Sequence, residues 1–103
     1  RILAVRTWLS KNYTIDENPG MGPQGLFYYY HTMSKALSLS GVDQIKDKQG
    51  NFRDWRKELA LELINQQTSQ GFWINENGRW WEKDPILVSC YALLSLERIF
   101  YAL

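Results

Sequence analysis

The stretch Gln66-Gln67-Thr68-Ser69-Gln70-Gly71-Phe72-Trp73 constrains this chain more than any other segment. It closes one helical pattern and leads towards Asp84-Pro85 at the head of the next. Helix ends leave backbone groups unpaired, and a side-chain amide can satisfy them. A glycine then turns the chain, and a large indole stops it. Gln66, Gln67, Gly71, Trp73 and Asp84 are therefore expected to build a structural joint between two helices.

Four helical segments surround that joint. The first covers about Ile2 to Asn12, with Val5, Trp8 and Leu9 at helical spacing. Asn18-Pro19-Gly20 and Gly22-Pro23 then break any regular element. A second helix is expected from about Gly25 to Ser40, ending at Gly41, and a third from Asp54 to about Gln67. The third carries Trp55, Leu59 and Leu63 on one side and Arg56, Lys57, Glu58 and Glu62 on the other, so it is amphipathic. Asp84 as N-cap and Pro85 at the first helical position mark the start of the fourth.

The second and fourth helices are apolar nearly all the way round, which predicts that both are enclosed. The expected order is outer, inner, outer, inner. Short β-like turns join the helices: Asp47 to Gly50 between Val42–Lys46 and Asn51–Arg53, and Asn77-Gly78 between Phe72–Asn75 and Arg79–Glu82. A weak internal repeat sets Trp8-Leu9 against Leu63-Ile64 and Ala36-Leu37 against Leu93-Leu94. Repeated helix hairpins stack side by side, each covering its neighbour. The chain is thus read as one domain, with a first helix pair over residues 1–41, a hairpin linker over 42–53 and a second pair over 54–103.

Composition narrows the function classes. A net charge of +1 with no basic block lacks the footprint of a nucleic-acid binder. No apolar run is long enough for a transmembrane segment. An aromatic share of 15% is high for a core this small and points to a lined cavity, an interface or part of a larger assembly. Arg1-Ile2-Leu3-Ala4-Val5 reads as helix interior and Ile99-Phe100-Tyr101-Ala102-Leu103 ends without a cap. Both ends are expected to continue into a longer polypeptide, and two open-flanked hairpins are expected to self-associate as a homo-oligomer or to meet the remainder of a larger assembly.

Gln67-x3-Gly71-x-Trp73, followed by Trp80 or Trp81, Asp84-Pro85 and Tyr91-Ala92-Leu93-Leu94-x-Leu96-Glu97, resembles one repeat of the prenyltransferase and squalene-cyclase superfamily. The match covers about residues 54 to 98. What the resemblance implies is an all-α fold of two or more helix hairpins from an α/α toroid, with inner and outer rings of helices. It also implies an apolar, isoprenoid-type ligand. In that family the glutamine bonds backbone groups at a helix end and the tryptophan packs on the next repeat, roles that would fall to Gln67 (or Gln66) and Trp73. The acidic Asp-x-Asp-Asp cluster of triterpene cyclases is missing from this sequence, as is the Asp, Cys and His constellation that holds zinc in protein prenyltransferases. No catalytic motif is visible, and whether the chain is an enzyme stays open.

Tyr28, Tyr30, His31 and Tyr91 are the candidate cavity-lining residues, because aromatic faces stabilise cations and a histidine beside them can act as a base. The plainer account of His31 is a hydrogen-bonded residue near the core. Cys90 with His31 and Asp84 is thin material for tetrahedral zinc, and Ile45 and Lys48 break the calcium-loop pattern around Asp43 and Asp47. No metal and no cofactor is expected. Trp73, Trp80 and Trp81 could stack on a sugar, so a carbohydrate-active toroid and a non-enzymatic toroid interaction domain stand beside the isoprenoid reading.

Overall fold

The computed structural model describes residues 2–77 and 82–101. In chain order the elements are α1 (Ile2–Asn12), α2 (Leu26–Leu39), β1 (Ile45–Lys46), β2 (Phe52–Arg53), α3 (Trp55–Gln66) and α4 (Pro85–Tyr101). Each boundary has a local cause. Asp54 accepts a hydrogen bond from the Lys57 amide and caps α3. The Asp84 carboxylate accepts from the Ile86 amide at 3.0 Å and caps α4, with Pro85 at the position where a missing N–H costs nothing. At the end of α2, Gly41 has φ +68°, its amide reaches Ser38 O, and the Val42 amide reaches Leu37 O. This pair of bonds is a Schellman motif, and it needs the left-handed residue that glycine supplies.

β1 and β2 form an antiparallel ribbon with Ile45 opposite Arg53 and Lys46 opposite Phe52. Asp47 holds its loop closed by accepting from the amides of Gln49 and Asn51. The same carboxylate meets Arg53, which also bonds Glu58, and the two acids together favour the cationic guanidinium. The Ser10 hydroxyl donates to Lys46 O and ties α1 to the ribbon. A two-residue ribbon is marginal alone, so these side-chain bonds and the helices around it keep it in place.

The core forms where α2 meets α4, the most closely packed pair of helices. Phe27, Tyr30, Met33 and Leu37 enter it from α2, and Val88, Ala92 and Ile99 from α4. Ser34, Ala92 and Ser95 are fully buried small residues, a composition that lets helix backbones come close. Both serine hydroxyls are satisfied locally, Ser34 by His31 O and Ser95 by Tyr91 O. α3 adds Trp55, Leu59 and Leu63, all with no exposed area, and the Trp55 indole donates to Val42 O at 2.6 Å.

The all-α toroid expected from the sequence is not the observed fold: among the described residues, four helices and a two-stranded antiparallel sheet make a compact domain. The ring required alternating solvent-facing and enclosed helices, and that alternation is absent. α4, expected to be enclosed, leaves Ile86, Leu93, Leu94 and Phe100 between 42% and 76% exposed. Nor does burial repeat at the offsets of the sequence alignment. Trp8 is exposed where Leu63 is buried, Leu9 is buried where Ile64 is exposed, and buried Leu37 aligns with exposed Leu94. The sequence pairs were alike in hydrophobicity, which carries no information about which of two neighbours faces inward.

The expected joint is compact. Gln67 Nε2 donates to Gly71 O at 2.9 Å, closing the turn in which Gly71 takes φ +97°. The indole, rather than the glutamine, reaches the end of α3: Trp73 Nε1 donates to Leu63 O at 2.8 Å, a buried carbonyl that also accepts from the Gln67 amide. Gln66 instead reaches the Tyr30 hydroxyl and Glu62. Trp80, Trp81 and the Gly78 of the second expected turn lie outside the described residues, as do Arg1, Ala102 and Leu103. Among the described residues, no helix is long and apolar enough to cross a membrane.

Candidate functional site

The aromatic run Phe27-Tyr28-Tyr29-Tyr30 cannot face one way, because a helix turns about 100° per residue. Phe27, Tyr29 and Tyr30 turn inward and Tyr28, at 54% exposed, turns out. Tyr30 donates its hydroxyl to Ile15 O at 2.6 Å and Tyr29 donates to Thr14 O at 2.8 Å. These two bonds fasten the loop before α2 onto the helix. Burial pushes the Tyr29 hydroxyl up to about 12 and raises Tyr30 as well, so both stay neutral donors across the physiological range. Tyr30 is thus a core residue with a structural hydroxyl.

The other three candidates meet at the surface between α2 and α4. Tyr28 packs edge-on against Tyr91 with centroids 5.7 Å apart, and His31 stacks on the same Tyr91 ring at 6.0 Å and 19°. Burial lowers the His31 pKa first, and the positive charges of Lys35 and Arg98 lower it further. Its Nδ1 is buried with no hydrogen-bond partner among the described residues. The folded protein therefore resists protonating this ring. The unfolded chain binds the proton near pH 6.5, so stability is full above that value and falls as pH drops below it. Thermal melts between neutrality and about pH 5 should show this decline, and a His31→Asn variant should flatten it. An unchanged slope in the variant would remove His31 as its source.

A groove opens beside this cluster. Trp8 and Leu9 of α1, Asn18 of the following loop, and Tyr28, Tyr29, Thr32, Met33 and Ala36 of α2 enclose about 310 Å³. The lining is mostly apolar, its polar side-chain groups being the Asn18 amide and the hydroxyls of Thr32, Tyr28 and Tyr29. The Asn18 amide is already engaged, donating to Gln24 O at 2.9 Å. Trp8 stands at the rim, 53% exposed. Trp8 and Leu9 point about 100° apart on the helix, and in α1 it is Leu9 that faces the core. Leu9 enters and the larger indole is left at the surface.

Among the described residues that line the groove there is no carboxylate, histidine, cysteine or lysine. The carboxylates singled out from the sequence are all engaged in structure: Asp84 caps α4, Asp47 closes its loop and Asp43 pairs with Arg56 at 2.7 Å. Among the described residues no three of His, Cys, Asp and Glu are grouped as metal ligands. Cys90 is exposed on α4.

One residue that the sequence placed only in the arm of a β-like turn organises this region. Glu82 is fully buried, and its carboxylate accepts from the Phe27 amide at 3.0 Å, the Tyr28 amide at 2.9 Å and the Asn75 side-chain amide at 2.9 Å. Asn75 Nδ2 also reaches Pro23 O, and the Asn75 amide donates to Glu82 O. α2 begins at Gly25 without a side-chain cap of its own, so Glu82 satisfies its open amides and sits at the positive end of the helix dipole. The partners are 54 and 55 residues apart, a separation no capping pattern in sequence can reveal.

No family model matches the chain, and no curated protein or solved structure was found that matches it.

Proposed function

We propose that this protein is a binding module that takes an apolar, isoprenoid-type small molecule in the groove between α1 and α2. The observation that carries the proposal is the half-exposed indole of Trp8 facing an apolar cleft shared with Tyr28, Tyr29 and Met33. Its volume falls in the lower range of small-molecule pockets, and its lining is apolar with few polar groups, as such pockets are. The resemblance of residues 54 to 98 to a prenyltransferase and squalene-cyclase repeat supports the same ligand chemistry. The helical ring of that family plays no part in the proposal, which assigns no reaction.

Adding a prenyl alcohol such as farnesol to the protein should change tryptophan fluorescence saturably. Trp8→Ala should weaken binding about tenfold or more, because a buried aromatic side chain contributes roughly 1.5–3 kcal/mol. Circular dichroism of the variant should be unchanged, since the indole is largely outside the core. A fluorescence response that survives Trp8→Ala undiminished would overturn the groove as the site. Quenching by oligosaccharides with none by the prenyl alcohol would replace the apolar ligand with a glycan.

A further inference from the structure

α4 has two faces of opposite fate. Val88, Ala92, Ser95 and Ile99 are buried. At about 100° per residue, Ile86, Cys90, Leu93, Glu97 and Phe100 lie together on the opposite side within an arc of about 80°. All five are exposed, with Ile86 at 76%, Leu93 at 57% and Phe100 at 74%, and Leu94 adjoins them at 42%. Their spacing alternates four and three residues, the period of a coiled-coil seam. A surface helix of a monomer would place charges here.

We infer that this stripe is a self-complementary dimer seam, in which α4 of one copy packs antiparallel on α4 of a second copy about Leu93. The register follows from the spacing. Ile86 and Phe100 stand seven residues either side of Leu93, so a two-fold axis through Leu93 sets Ile86 of each copy against Phe100 of the other. Area fits a weak dimer. Taking ~200 Å² for each full side chain, the four apolar residues offer about 500 Å² per copy, or about 1,000 Å² in all, where specific interfaces begin. Charge decides the direction. A parallel seam would set Glu97 against Glu97, whereas the antiparallel one separates the two by about 12 Å, more than a Debye length at moderate salt. Antiparallel helix dipoles add to that preference. The seam stands apart from the proposed ligand groove, which involves none of these residues.

Sedimentation velocity from low micromolar to sub-millimolar protein should show a reversible monomer–dimer equilibrium. Leu93→Glu places two carboxylates on the axis and should raise the dissociation constant at least tenfold while leaving the helical spectrum unchanged. Leu61→Glu, on an exposed position of α3, should leave it unchanged. Cys90 reads the direction: antiparallel packing holds the two Cα atoms about 9 Å apart along the axis, too far for a disulfide but within reach of a short bis-maleimide. A monomer at all concentrations, a dimer insensitive to Leu93→Glu, or ready oxidation to a Cys90–Cys90 disulfide would each overturn the inference.

Discussion

Trp73→Ala is expected to lower the melting temperature by about 15 °C or more. A buried tryptophan replaced by alanine costs about 3–5 kcal/mol, and each 1 kcal/mol moves the midpoint of a domain this size by about 4–8 °C. Trp73 is 5% exposed, its indole satisfies Leu63 O at the end of α3, and its own amide meets the Ser89 hydroxyl at 3.0 Å. One side chain therefore closes the end of α3 while its backbone pins the approach to α4. Gln67→Ala should have a much smaller effect, under about 1 kcal/mol, because Gln67 is exposed and its amide makes one bond inside the turn. Thermal denaturation of the two variants side by side checks this. Equal losses would mean that the amide and the indole share the joint; a Trp73→Ala variant as stable as the parent would place the indole outside the core.

Glu82→Ala should be about as damaging, and by a different route. It removes little apolar area and instead leaves two α2 amides without their acceptor and takes from the Asn75 side chain one of its two, the other being Pro23 O. An unsatisfied buried donor costs about 1–3 kcal/mol, so the variant should lose about 3–5 kcal/mol once relief of the buried charge is set against the three bonds. Glu82→Gln keeps one oxygen acceptor but turns an amide towards a backbone donor, and an intermediate loss is expected. Chemical denaturation with a common slope would give both values. Parent-like stability in Glu82→Ala would mean that α2 is capped by something other than this carboxylate. Because Tyr28 and Tyr29 lie in the first turn of α2 and line the groove, the variant should also weaken binding of the prenyl alcohol at temperatures where it stays folded.

Much of the secondary structure was legible from local chemistry. Asp54 and Asp84 mark helix starts, Gly41 marks a helix end, and Asp47 to Gly50 marks a tight loop, because caps and turns depend on neighbours a few residues away. The candidate site was legible only in part. Tyr28, His31 and Tyr91 come together, while Tyr30, alike in sequence to Tyr28, belongs to the core. Trp8 was visible as a helical residue but not as a groove wall, since its exposure depends on Leu9 taking the inward position.

The sequence by itself determined where the helices begin and end and that an amide, a glycine and an indole would make the bend after α3, since those choices rest on interactions within a few residues. Only the tertiary structure decided how the helices are arranged. An evenly apolar helix such as α4 has no preferred inward face, so its partner α2 selects Val88, Ala92, Ser95 and Ile99 and leaves Leu93 and Phe100 outside. The cap on α2 arrives from Glu82, far along the chain, for the same reason: burial and long-range hydrogen bonds are set by which surfaces meet, and periodicity does not record that.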